Sequence, residues 1–177
     1  MTPTEVIEKV ARGDVYHRRL TFPEGLTIRE MARIFEQQGF GTAAAFAEAA
    51  LDASAVRDID PAASDLEGYL FPETYLLPRE TTAARLVALM AGRFRQLFAP
   101  EMRQAAEALG LTTRQAVTLA SLVEKETAVP AERPVVAAVY LNRLKIGMGM
   151  QADPTVIYAL ERAGRYDGNL RRDDLAF

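Results

Sequence analysis

The sequence predicts an α+β fold that is predominantly helical, with a small strand element near its N-terminus. Three observations carry this expectation. Apolar residues recur at spacings of three and four over most of the chain, the mark of helices that bury one face. Thr, Pro and Gly stand at the ends of those stretches as capping and stopping residues. Strand signals are scarce: Val15–Phe22 is the clear run, and it closes on the turn Pro23-Glu24-Gly25.

Taken in order, residues 3–11 read as a helix with Val6, Ile7 and Val10 on one side and Gly13 as its stop. After the strand, Thr27 caps a helix through Gln38, with Glu30 as its capping-box partner and Gly39 and Gly41 at its end. Thr42 starts a short Ala-rich helix to Leu51. Residues 53–64, with Pro61, read as irregular and as the best candidate linker, which divides the chain into 1–60 and 61–177. Leu66–Pro78 is aromatic and rich in turn formers, and reads as an extended, partly buried loop of fixed shape.

Thr81 or Thr82 caps a long helix to Phe98, striped by Leu86, Val87, Met90, Phe94, Leu97 and Phe98. Pro100 opens a short helix that stops at Gly110. Thr112 caps the next, through Thr127, with Gln115 completing a capping box. Pro130 and Pro134 flank the start of a helix to Ile146, stopped by Gly147. Asp153-Pro154 reads as an N-cap followed by proline at the first helical position, opening a helix to Arg162.

At 177 residues the chain fits one domain, or one domain with part of another. Such a chain buries roughly two-thirds of its unfolded surface, enough for a real core. A net charge of −3 offers no electrostatic case for nucleic acid. The absence of cysteine excludes disulfides, thiolate nucleophiles and Cys-based zinc sites. The one histidine, His17, stands between Tyr16 and Arg18-Arg19 and reads as an ordinary surface residue, so a His-based metal site or a Ser–His triad is not expected. No run of about 18 apolar residues occurs, and no basic-then-apolar leader opens the chain. Chemistry then falls to carboxylates, Tyr, Arg or the three lysines, Lys9, Lys125 and Lys145.

The helix ending at Thr127 holds the most informative acids. At about 100° per residue, Ala116, Leu119, Ala120, Leu122 and Val123 define its apolar face. Glu126 extends that face, Glu124 sits at its margin about 160° round from Glu126, and Lys125 points away. Glu126 is therefore expected among apolar neighbours, where a carboxyl favours its protonated form and becomes a proton donor. The competing reading has Glu126 capping the helix or paired with Arg133 or Arg143. Glu124 reads as a solvated or salt-bridged surface acid.

A second cluster comprises Tyr140, Asn142, Arg143, Gln151, Asp153, Thr155 and Tyr158. Amides, hydroxyls and a guanidinium suit a groove for a polyhydroxylated ligand, and the tyrosines supply flat apolar surface. The same residues would also serve as helix surface, cap and core. Glu67 and Glu73 are either acids of a cleft or part of packing and turn chemistry.

Together these segments resemble a known family. The motifs are Glu67-Gly68-Tyr69-Leu70-Phe71-Pro72-Glu73-Thr74-Tyr75, Ala120-Ser121-Leu122-Val123-Glu124-Lys125-Glu126-Thr127, Glu132-Arg133-Pro134, Tyr140-Leu141-Asn142-Arg143 and the run from Gly147 to Tyr158. In order and spacing they look like the MltG (YceG-like) family of endolytic murein transglycosylases, and Pro23-Glu24-Gly25-Leu26-Thr27 matches that family's usual turn. The linked motifs cover nearly the whole chain and are far more specific than any one alone.

The resemblance implies cleavage of the MurNAc–GlcNAc β-1,4 bond within nascent glycan strands, leaving 1,6-anhydro-MurNAc ends and terminating elongation. It implies Glu126 as catalytic acid and then base, and Asn142, Arg143, Gln151, Asp153, Thr155 and Tyr158 as substrate-binding residues. No metal and no cofactor is implied. Glu126-Thr127 is similar to the Glu-Ser pair of lysozyme-like transglycosylases, so residues 61–177 are expected to hold a partial, lysozyme-like-analogue catalytic domain. Residues 1–60 would include the remnant of a LysM-like subdomain.

The implied partners are peptidoglycan glycan strands and cell-wall synthases, in cell-wall biogenesis and cell shape. The parent protein is expected in the inner membrane, single-pass, with its catalytic domain on the periplasmic side. On this resemblance the chain is expected to be a soluble fragment, without the family's transmembrane helix and its further segment beyond Phe177. The alternative is a non-catalytic glycan-binding or scaffold module of the synthesis machinery. An aminodeoxychorismate lyase is disfavoured, because neither Lys125 nor Lys145 sits in a recognisable pyridoxal-phosphate context.

Overall fold

The computed structural model describes residues 2–11 and 16–176 and, within these, the side chains of all but 5, 6, 9, 10, 175 and 176. The side chains of Val6 and Val10, the Gly13 stop, Val15 at the head of the expected strand, and Phe177 lie outside the described residues. The chain forms two compact units, dividing after Ala105 rather than near residue 60.

The first unit contains α1 (Pro3–Ala11), β1 (His17–Thr21), α2 (Ile28–Gln37), α3 (Ala43–Ala49), a 3-10 turn (Ala53–Val56), β2 (Thr74–Pro78) and α4 (Ala83–Leu97). The starts of α2 and α3 are set by threonines. Thr27 and Glu30 form the expected capping box on α2, and Thr42 caps α3 through the Ala45 amide. β1 and β2 pair antiparallel, from His17 opposite Pro78 to Thr21 opposite Thr74.

Strand β2 lies inside the segment expected to be a loop. Its residues alternate, with Tyr75 and Leu77 buried and Thr74 and Leu76 exposed, which is the period of a half-buried strand. Five residues between Pro72 and Pro78 are too few for that period to stand out beside so many turn formers.

Leu20, Phe22, Phe35, Phe46, Val56, Leu66, Leu86 and Met90 are almost wholly buried in this unit. Each large side chain contributes roughly 1.5–3 kcal/mol of transfer free energy. The rings of Phe35 and Phe46 lie 5.4 Å apart and tilted, with Phe22 6.1 Å from Phe46. Residues 53–64 are not a linker: Ala53, Val56, Asp60 and Ala63 are buried, and the Tyr69 hydroxyl donates to Asp60 at 2.7 Å. Small side chains and an acid disguised a packed segment as a polar one. On α4, capped by Thr82, the stripe of Leu86, Val87 and Met90 is buried, whereas Leu97 in the last turn is exposed.

Helix α5 (Pro100–Ala108) crosses the division. The second unit holds α6 (Thr113–Glu126), α7 (Arg133–Lys145), α8 (Asp153–Arg162) and a closing 3-10 turn (Arg172–Ala176). Leu119, Leu122 and Val123 from α6, Tyr140 from α7 and Ala152 before α8 form its core, flanked by Leu111, Val136, Ala137, Leu141 and Met150. Thr112 and Gln115 close the expected capping box on α6. The start of α8 differs from expectation: Ala152 is the N-cap and Asp153 the first helical residue, with no side-chain cap bond. Asp153 instead places its charge in the first turn, where the helix dipole favours it. Among the described residues, no helix is long and apolar enough to cross a membrane.

Candidate functional site

Helix α6 ends at Glu126, and Thr127 leaves it in extended conformation. Thr127 is buried and anchors the turn to α7 twice: its hydroxyl donates to Glu132 at 2.7 Å and accepts from the Val129 amide at 3.0 Å. Glu124 pairs with Arg133 at 3.1 Å, so the salt-bridged reading holds for this acid.

Glu126 is exposed, contrary to the expected burial among apolar neighbours. Its direction was right, since it lies within about 20° of Leu119 around the helix. A helical wheel has no axial coordinate, however. The buried cluster reaches only to Val123, and Glu126 stands in the last turn, beyond it. Arg133, one of its expected partners, is engaged by Glu124.

What Glu126 does touch is Tyr140, whose hydroxyl donates to Oε2 at 3.3 Å. Tyr140 is only 5% exposed. Burial pushes its phenol above the usual tyrosine range, the nearby Glu126 charge and the hydrogen bond push it further, and Arg143 partly opposes them. The phenol therefore stays protonated and acts as donor near neutral pH. The sequence offers Tyr140 as flat surface in a groove or as core; it is core, and neither reading includes its hydroxyl as a donor to Glu126. The available signal was a tyrosine on the buried face of α7, whose hydroxyl must find a partner.

Arg143 is half-buried and donates to the Met150 carbonyl, while its own carbonyl accepts from the Met148 amide at 2.8 Å. It thus clasps the loop before α8, and its guanidinium is committed at least in part to that structure. Gln151, next in that loop, is exposed at φ +50, the one non-glycine with positive φ among the described residues. Thr155 is exposed, but its hydroxyl is bonded to the Ala152 carbonyl at 2.7 Å. Contacts thus link Glu126, Tyr140, Arg143 and the loop carrying Gln151, which runs directly into Asp153 and Thr155.

Asn142 faces away from Tyr140: it is exposed and lies about 200° round α7 from it. Tyr158 is half-buried under the Arg162 guanidinium, which sits 5.9 Å from its ring centroid. In the first unit, Glu67 accepts from the Ile28 amide at 3.0 Å and so supports the start of α2. Glu73 pairs with Arg93 at 2.9 Å beside an open groove of about 440 Å³ between β2 and α4. Among the described residues, no cluster of His, Cys, Asp and Glu is arranged to hold a metal ion.

The family model described as YceG-like matches residues 1–177. The chain belongs to the YceG-like family. A YceG-like protein from Listeria monocytogenes, solved at 2.6 Å, shares the fold with a TM-score of 0.76 and 27% identity, over 100% of this chain and 62% of that one. Among related sequences, a Streptococcus pneumoniae protein is 32% identical over 145 residues, covering 81% of this chain and 26% of its own length. A Bacillus subtilis protein is 34% identical over 114 residues, 62% of this chain and 30% of its own length. Both carry the name endolytic murein transglycosylase. This YceG-like chain therefore spans between a quarter and a third of the length of these curated relatives.

Proposed function

We propose that the chain carries the acid/base glutamate and part of the glycan cleft of a murein transglycosylase that cuts within peptidoglycan strands. The observation that carries the reading is the setting of Glu126. It is an accessible carboxylate at the rim of an apolar helix pair, with one oxygen held by a buried phenol. The names of the related proteins supply the substrate class.

In this reading Glu126 first protonates the oxygen linking MurNAc to GlcNAc. The C1–O bond breaks through an oxocarbenium-like state, and the GlcNAc 4-hydroxyl leaves. The Glu126 carboxylate then takes the proton from the MurNAc C6 hydroxyl as that oxygen bonds to C1. The product is a 1,6-anhydro end, the catalyst returns to its starting state, and water takes no part. Hydrolytic glycosidases commonly need two carboxylates. One suffices here because the nucleophile belongs to the same sugar, and such intramolecular reactions reach effective molarities of about 10⁵–10⁸ M.

Gln151, Asp153 and Thr155 then border the bound glycan, with Asn142 and Tyr158 as outer contacts and Arg143 shaping the loop. On the same reading the whole protein ends strand elongation beside the cell-wall synthases. A transmembrane helix elsewhere in it would hold this region on the periplasmic side of the inner membrane.

The test incubates the 177-residue chain with uncrosslinked glycan strands and follows the products by mass spectrometry. Anhydro-ended fragments are expected, and Glu126→Gln should abolish them. Binding without cleavage would instead support a non-catalytic glycan-binding module.

A further inference from the structure

We infer that Tyr140 is a positioning residue for Glu126: its buried hydroxyl occupies Oε2, so that the transferable proton resides on Oε1. The inference rests on the acid/base reading of Glu126 and adds which oxygen acts. A carboxyl group has two nearly equivalent oxygens, and a free one rotates and shares its proton between them. A donor aimed at one oxygen makes that oxygen the acceptor in both protonation states. The acid proton is then confined to the other.

The phenol is suited to this task because it cannot move away. Its ring is part of the core formed with Leu119, Leu122, Val123 and Ala152, on the α6–α7 seam that ends at Glu126. The groups around it leave its proton in place: burial and the Glu126 charge hold the phenol neutral, and Arg143 offsets them only in part. At 3.3 Å the bond is longer than the usual O–H···O distance of about 2.7–2.8 Å. Catalytic hydrogen bonds are often long without substrate and tighten when it binds. Tyr140 is too buried to touch a glycan, so its effect belongs to the chemical step and not to binding.

Two measurements test this. In the first, Tyr140→Phe keeps the ring in the core and removes the donor. We expect kcat to fall about 10- to 100-fold with KM unchanged, the range for a hydrogen bond to a charged group. In the second, the ionisation of Tyr140 is followed by NMR in the wild type and in Glu126→Gln, whose exposed site leaves the core intact. The phenol should ionise at lower pH in the variant.

Full activity in Tyr140→Phe, with Glu126→Gln inactive, would overturn the positioning role and leave Glu126 in place. Activity in Glu126→Gln would overturn the acid/base reading itself. If the phenol titrates identically in both proteins, the two groups are uncoupled and the inference fails, whether or not the chain cleaves glycan.

Discussion

At the residue scale, two glutamates two positions apart have opposite surroundings. Glu124 is tied to Arg133 and half-buried, while Glu126 is exposed and held by one phenol. Gln151 shows a different specialisation, because a side chain at φ +50 costs roughly 1–2 kcal/mol that glycine would not incur. Such strain persists where the surroundings enforce it, often at functional sites. Replacing Gln151 with Gly should leave stability unchanged or raise it by up to about 1 kcal/mol, because relief of strain is partly offset by the freer unfolded chain. Thermal unfolding measures this, and the glycan-cleavage rate should fall in the same variant as the amide is lost. A clear drop in stability would mean that the Gln151 side chain is structural. The direction of Glu126 was legible from periodicity, but its exposure was not, since exposure depends on where the neighbouring core stops along the helix axis.

At the element scale, the turn between α6 and α7 sets the relation between Glu126 and Tyr140. Thr127 holds that turn with bonds to Glu132 and to the Val129 amide, from a buried position. Thr127→Val keeps the shape and removes both bonds, leaving polar groups without their partner at a cost of about 1–3 kcal/mol. Urea unfolding should show that loss, and Thr127→Ser should recover most of it.

Helix starts were the most legible feature of the sequence. Thr27, Thr42, Thr82 and Thr112 each cap a helix in the structure. Caps are local, so a few neighbouring residues specify them. Strand β2 and the packed segment 53–64 depend on partners beyond the reach of a local pattern: β2 on β1, the 3-10 turn on α4, and Asp60 on the Tyr69 hydroxyl. The start of α8 slipped by one residue because Asp-Pro fits an N-cap and a first turn equally well.

At the scale of the whole molecule, the first unit carries its own pH dependence. Tyr75 is buried and donates to the Phe71 carbonyl at 2.6 Å, and burial together with the Glu73 charge pushes its phenol up to about 12, against Arg93. The folded state therefore prefers the neutral phenol. That stability is fully present below about pH 10, where the unfolded chain also keeps its proton, and is lost as pH rises toward 12. We expect the unit to lose about 1–2 kcal/mol over this window and Tyr75→Phe to remove that part of the pH dependence. Chemical denaturation at pH 9 and at pH 11.5–12 measures it, using roughly the window set by the two ionisations.

Family membership and fold describe the entire chain, whereas the chemistry proposed for it rests on one carboxylate. The most direct measurement compares Glu126→Gln with Glu124→Gln, each assayed for anhydro-ended products from uncrosslinked glycan. Loss of a general acid typically costs about 10²–10⁴-fold in rate. The account predicts such a loss for Glu126→Gln, and for Glu124→Gln a cleavage rate close to wild type with a modest loss of stability from the broken pair with Arg133. Cleavage that survives Glu126→Gln and disappears in Glu124→Gln would contradict it.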